Sequence, residues 1–163
     1  MKAELRERYQ TEMNMQLKDV CTPEVICCAP STSVLEAARL MRRHHVGDLV
    51  VVQDPEGDRL PLGVVTDRDL VVEVLGNDRD ASTTTVKSLL TPRVVIAQET
   101  EDTSVVLERM KANGVRRVPI VDHAGRLTGI ITFDDLLRLC VGDAAALLEV
   151  MTKGATHEKH LRR

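Results

Sequence analysis

The chain contains the same unit twice. Laying "LKDVCTPEVICCAP" (17–30) over "VKSLLTPRVVIAQE" (86–99) at an offset of 69 sets Lys18 on Lys87, Thr22-Pro23 on Thr91-Pro92 and Val25 on Val94. The same offset puts Met41 on Met110 and Val46 on Val115. Further on, "GVVTDRDL" (63–70) meets "GIITFDDL" (129–136) at an offset of 66, so the first copy carries three more residues, within "DPEGDRLPL". Turns between strands tolerate such a length change. A unit of about 60 residues buries too little surface to be stable alone. The two copies are therefore expected to pack as a pseudo-twofold pair with a shared core.

Each copy reads β-α-β-β-α, an α/β (α+β) pattern. "EVICCA" and "RVVIAQ" look like short strands, and "SVLEAARLMRRHH" and "TSVVLERMKANG" like amphipathic helices, the second closed by Asn113-Gly114. "DLVVVQ" and "RVPIVD" are β-branched strands that end in turns, and "LGVVT" and "TGIIT" are the strands that follow. "DRDLVVEVLG" and "FDDLLRLCVG" read as short helices. The expected division is an N-terminal helix (1–16), a first repeat (17–76), a linker (77–85), a second repeat (86–142) and a C-terminal helix with a charged tail (143–163). Leu5, Tyr9, Met13 and Leu17 form an apolar stripe in the first segment, and "DAAALLEVM" is apolar and helical in the last. Both helices are expected at a subunit interface, because two small repeats leave little core to cover.

Composition excludes several functions. The net charge of −3 supplies no field for nucleic acid or anionic membrane. One Tyr and one Phe, with no Trp, leave almost nothing for bases to stack on. The apolar runs are too short to span a bilayer, and the N-terminus lacks the apolar stretch of a signal peptide, so a cytoplasmic location is expected. Cys21, Cys27, Cys28 and Cys140 form no CxxC pair and read as reduced, small core residues. The five His are scattered, so no metal site is expected. There is no P-loop pattern and no G-x-S-x-G elbow, and the chain is not expected to be an enzyme.

The octets carry the chemistry. Thr66 with Asp69, and Thr132 with Asp135, have capping-box spacing at a helix start. A capping box prefers the longer Glu or Gln, yet both copies use Asp. Both also place a Gly three residues before the Thr, and a strand Gly marks the close approach of a ligand or of another backbone. A hydroxyl and a carboxylate at a strand-to-helix turn are suited to a ribose diol. Both readings stay open, and one turn can serve both.

The pattern G-h-h-T-x-x-D, once per β-α-β-β-α unit and joined to "NGVRRVPIVD", resembles the tandem CBS domain, or Bateman module, over about residues 15 to 142. That resemblance implies two clefts between the repeats, each for an adenosine-containing ligand such as AMP, ADP, ATP, NAD or S-adenosylmethionine. It implies that Thr66/Asp69 and Thr132/Asp135 hold the ribose. Val25 and Ile26 would flank the base in one cleft, and Val94 and Val95 in the other. It also implies that Arg116 and Arg117 face phosphate, a role for which a guanidinium is suited. The first repeat departs from this with Gly47-Asp48. Asp48 is expected to meet the base instead. The cleft of Thr132 and Asp135, credited with Arg116, Arg117, Asp48, Val25 and Ile26, reads as the more complete. The cleft of Thr66 and Asp69 is left with Arg68 as its only cation. The function implied is that of an adenine-nucleotide sensor, a homodimer acting on a partner protein or on an enzyme in trans. A purely structural interaction protein is the alternative.

Overall fold

The computed structural model describes residues 15–139. Of the apolar stripe expected in the first segment, Leu5, Tyr9 and Met13 lie outside the described residues, as does segment 143–151, whereas Leu17 is described and is buried within this chain. Within them the architecture is two three-stranded sheets, ordered β1-β2-β3 and β4-β5-β6, each with one long helix. This is the α+β repeat pair that the sequence indicates.

In the first repeat β1 (Cys27–Cys28) runs parallel to β2 (Asp48–Val52), which pairs antiparallel with β3 (Pro61–Thr66). In the second, β4 (Ala97–Gln98) runs parallel to β5 (Arg117–Val121), which pairs antiparallel with β6 (Leu127–Thr132). β1 and β4 are shorter than the sequence pattern suggests. Residues 23–26 and 92–96 lie outside both strands, which leaves Val94 and Val95 free to line a cleft.

A short helix, α1 (Leu17–Val20), opens the described chain. The long helix of the first repeat, α2 (Val34–His44), starts with the Ser33 side chain accepting from the Glu36 N–H at 3.2 Å, which satisfies one orphan donor. It ends on His45 at φ 54°, a left-handed position usually given to Gly. The helix after β3 is irregular. α3 (Asp67–Asp69) continues into a π-wound stretch (Leu70–Val74) and a 3₁₀ turn (Leu75–Asn77). The long helix of the second repeat, α4 (Thr103–Asn113), ends on Gly114 at φ 64°, as its Asn-Gly signal indicates. Residues 133–139 are helical and follow β6 directly.

The two repeats exchange their leading segments. The Leu17 and Lys18 amides donate to Glu101 and Glu99 carbonyls at 3.0 and 3.1 Å, and Thr103 N–H donates to Met15 O at 3.1 Å. These partners all belong to the second repeat. Leu17 is fully buried there, packed with Val106, Val118, Ile120 and Ile131. The counterpart is reciprocal. Val86 and Lys87 donate to Thr32 and Pro30 carbonyls at 2.9 and 3.2 Å, and Val34 N–H donates to Thr84 O at 2.9 Å. Val86 is buried in the first repeat's core beside Ala37, Leu49 and Val51. Each of these bonds maps onto its partner by the offset of 69, so the pairing is a true pseudo-twofold. A third cluster, Val50 and Val52 with Leu127 and Ile130, joins the two sheets. Segment 77–85 is docked as well, since Leu35 N–H donates to Ala81 O at 2.9 Å.

The exchange explains the octet glycines. A Cβ on Gly129 would sit 2.7 Å from Cys21 Sγ and 3.1 Å from Thr22 O. The Thr22 strap is pinned there by two 2.9 Å hydrogen bonds with Ile130. A Cβ on Gly63 would meet only the tip of Leu90, at 2.8 Å. Close approach of neighbouring backbone demands Gly at 129, whereas Gly63 meets a side-chain tip and also lines the cleft beside Thr66. Gly129→Ala, which must push backbone, should cost about 1–3 kcal/mol, and Gly63→Ala clearly less, since a flexible tip can swing away. Urea midpoints of the two variants check this order.

Cys21, Cys27 and Cys28 are free thiols. Burial pushes the Cys28 thiol from 9.0 up to about 11. The unfolded chain therefore ionises at this residue first. The Cys28 contribution to stability is fully present below about pH 9 and is lost as pH rises through about 11. A thiolate-seeking reagent at pH 8 should label Cys28 only as fast as the core opens, with protection removed by urea.

Candidate functional site

The two octets place the same constellation at the ends of β3 and β6. Thr66 Oγ1 donates to Asp69 Oδ2 at 2.7 Å and accepts from the Asp69 N–H at 3.3 Å, while Thr66 N–H donates to the same carboxylate oxygen at 2.8 Å. Thr132 and Asp135 repeat this at 2.7, 3.2 and 2.9 Å. The Asp side chain is short, yet it reaches back because the hydroxyl meets it half-way. The capping box is thus complete in both copies. The Thr hydroxyl proton is committed to the carboxylate, so the oxygen left to face a ligand is the other one. Asp69 Oδ1 has no partner among the described residues. Asp135 Oδ1 has Arg138 at 3.6 Å, on a guanidinium that is 82% exposed.

A cleft of about 420 Å³ opens beside Thr66 and Asp69. Its apolar wall is Val64, Val94, Val95 and Val115, and its polar rim holds Arg68, Arg93, Arg116 and Arg117 with Asp67. This corrects the grouping expected from sequence. Arg116 and Arg117 belong to the cleft of Thr66, together with Val94 and Val95, although Arg117 is the direct strand neighbour of Thr132. The reason is the pseudo-twofold. The start of β5 lies at the axis, and the Arg117 side chain crosses it toward the other repeat. Sequence reasoning also missed Arg93. The signal was available, because Arg93 falls on Glu24 at the offset of 69, a reversal of charge between copies.

Arg117 and Asp48 are equivalent positions, and they touch. Arg117 Nε lies 2.8 Å from Asp48 Oδ1. Two residues related by a twofold can meet only at its axis, so this ion pair marks it. The N–H of that nitrogen is buried and points along no hydrogen bond, so the contact is electrostatic proximity rather than a formed bond. Burial raises the Asp48 carboxyl above its ordinary range, Arg117 pulls it back, and Asp67 adds to the rise. Asp48 is thus met by Arg117 rather than standing open for a base.

Arg116 lies 3.5 Å from Asp134 and 5.6 Å from the centre of the Phe133 ring. Both charged groups are exposed, so the pair contributes about 0–1 kcal/mol and leaves the arginine free to turn. Val25 and Ile26, expected to flank a base, are half-buried and touch neighbouring core on one side. Val25 lies against Val50, Val52, Leu127 and Ile130, and Ile26 against the first repeat. No group of three or more His, Cys, Asp or Glu able to hold a metal ion occurs among the described residues.

The CBS domain model matches residues 17–76 and 86–142. The chain belongs to the CBS-domain family. It is 31% identical over 120 residues to the CBS domain-containing protein YhcV of Bacillus subtilis, covering 74% of this chain and 81% of that one. It is 35% identical over 130 residues to inosine-5'-monophosphate dehydrogenase of Methanocaldococcus jannaschii, covering 80% of this chain but 24% of the enzyme. Its fold matches the CBS domain pair of protein MJ0100, solved with 5'-methylthioadenosine and S-adenosyl-L-methionine, at a TM-score of 0.68 and 28% identity over 79% of this chain and 98% of that one. As a CBS pair it is expected to lose about 1 kcal/mol of stability on Thr66→Ala, from the cap alone. Thermal melts of the ligand-free protein measure this.

Proposed function

We propose that this CBS pair binds an adenosine-containing ligand in the cleft of Thr66 and Asp69 and works as a regulatory sensor rather than as an enzyme. The observation that carries the reading is the cleft itself. A carboxylate with one free oxygen stands at a helix start, and four valines and four guanidinium groups line the same cleft. The free oxygen suits a ribose hydroxyl, the valines suit the faces of a base, and the arginines suit phosphate. Among AMP, ADP, ATP, NAD and S-adenosylmethionine, that rim favours the phosphorylated ones. The solved complex of a similar CBS pair with two adenosine compounds supports the class.

Mechanism follows from where the cleft sits. Its walls come from both repeats, so a ligand favours the arrangement in which all its contacts are made at once. Any change in the angle between repeats moves the helices that follow β3 and β6. These carry exposed Val71, Val72, Leu75 and Leu137. We assign this apolar face to a second copy of the chain, through which the signal reaches a partner in trans.

Calorimetric titration of AMP, ATP, NAD and S-adenosylmethionine tests the reading, with Asp69→Ala alongside. Binding by the wild type that the folded variant loses by tenfold or more is expected. Absence of heat with all four ligands favours a structural interaction protein instead.

A further inference from the structure

The positions that line the Thr66 cleft have counterparts around Thr132 that copy them in backbone and oppose them in charge. The offsets of 69 and 66 give every residue of the Thr66 cleft a counterpart at the Thr132 cleft. Arg93, Arg116 and Arg117 become Glu24, Gly47 and Asp48, and Arg68 becomes Asp134. The backbone equivalence is physical as well as sequential. Asp67 N–H donates to Gly47 O at 3.0 Å, as Phe133 N–H does to Arg116 O at 2.8 Å. The Thr–Asp constellation is the same in both to within about 0.1 Å. A ribose would meet the same groups at either place, whereas the group attached to its 5' carbon would not. At Thr66 it faces four arginines against Asp67 and Asp69. At Thr132 the equivalent positions hold four acids, Glu24, Asp48, Asp134 and Asp135, and the exposed Arg138 and Arg116 lie near them, 3.6 Å from Asp135 and 3.5 Å from Asp134.

We propose that phosphorylated adenosine compounds are confined to the Thr66 cleft, and that the Thr132 cleft takes adenosine compounds whose 5' substituent is neutral or cationic. This rests on the adenosine reading above and adds which ligand class goes where. Asp48 is the residue that keeps the two apart. Placed at the axis, it pairs with Arg117, the strand neighbour of Thr132, and offsets that charge there. Arg116 does not reverse the balance, because Asp134 offsets it there. Asp48 is half-buried, its side chain 19% exposed, and Asp67 belongs to the rim of the Thr66 cleft, so the acids that count at Thr132 are Glu24, Asp48, Asp134 and Asp135. A phosphate entering the Thr132 cleft meets these carboxylates in partly desolvated surroundings, where like charges are costly.

The test is the stoichiometry of AMP and of adenosine in the full chain, by calorimetry. Wild type should take one AMP per chain. That binding should be lost in Asp69→Ala and kept within about twofold in Asp135→Ala, since sites that share no partner behave additively. Adenosine, which lacks the phosphate, should show no such preference between the two variants. Glu24→Arg with Gly47→Arg copies the basic rim into the first repeat and leaves the axial pair intact. Residue 47 has room, because a Cβ there lies 3.4 Å from its nearest atom, Asp67 Oδ2. That double variant should raise AMP stoichiometry from one to two. One AMP lost in Asp135→Ala but kept in Asp69→Ala, or two AMP bound by wild type, overturns the charge assignment while the adenosine reading stands. If neither AMP nor adenosine binds a folded wild type, both fall together.

Discussion

The strap exchange is the interaction on which the rest of the structure depends. Leu17 completes the second repeat and Val86 completes the first. Without them each three-stranded sheet would expose one face of its core, and a unit of this size has no surplus burial to absorb that loss. Because the exchange is reciprocal, neither repeat is a module that the other merely accompanies. The octet glycines, the docked segment around Ala81 and the cluster between the sheets all follow from it. So does the position of the cleft, where Val94 and Val95 lie on the chain that leads from the second repeat's strap into β4.

A duplicated fold brings equivalent residues face to face at its axis, and that imposes a chemical condition. Two arginines at positions 48 and 117 would repel each other, and so would two aspartates. The chain meets the condition by differing there, with Asp48 on one side and Arg117 on the other, 2.8 Å apart. Once that position differs, the clefts on either side can no longer be alike. The asymmetry spreads outward to Glu24 and Arg93, and to Arg68 and Asp134. The pairing of the repeats and the charge around each octet are thus linked through one partly buried pair.

Much of this was legible in the sequence. The repeat, the strand and helix order, the Asn113-Gly114 helix end and the cap at each Thr all read directly, because each depends on neighbours close along the chain. The αL end of α2 on His45 did not, since nothing in "RHHV" announces it. The straps did not either. A linear alignment puts Leu17 with the first repeat, and only the three-dimensional pairing shows it serving the second. The arginine grouping failed for the same reason. Arg117 is beside Thr132 in the ladder, but its side chain crosses the axis, and no one-dimensional pattern records which side of an axis a long side chain takes. Periodicity also overstated β1 and β4, because residues 23–26 and 92–96 have strand-like composition without a strand's partners.

The exchanged straps have a consequence for synthesis. Translation delivers the first repeat in order, but its core lacks Val86, which lies beyond the end of β3 and the irregular helix after it. The nascent first repeat must therefore wait, with Leu49 and Val51 incompletely covered, until the start of the second copy has left the ribosome. Meanwhile the segment at Leu17, made before either sheet, has no home until β5 and β6 exist. Such long-range closure is slow and exposes apolar surface. Neither half of such a chain has a complete core before the other has been made.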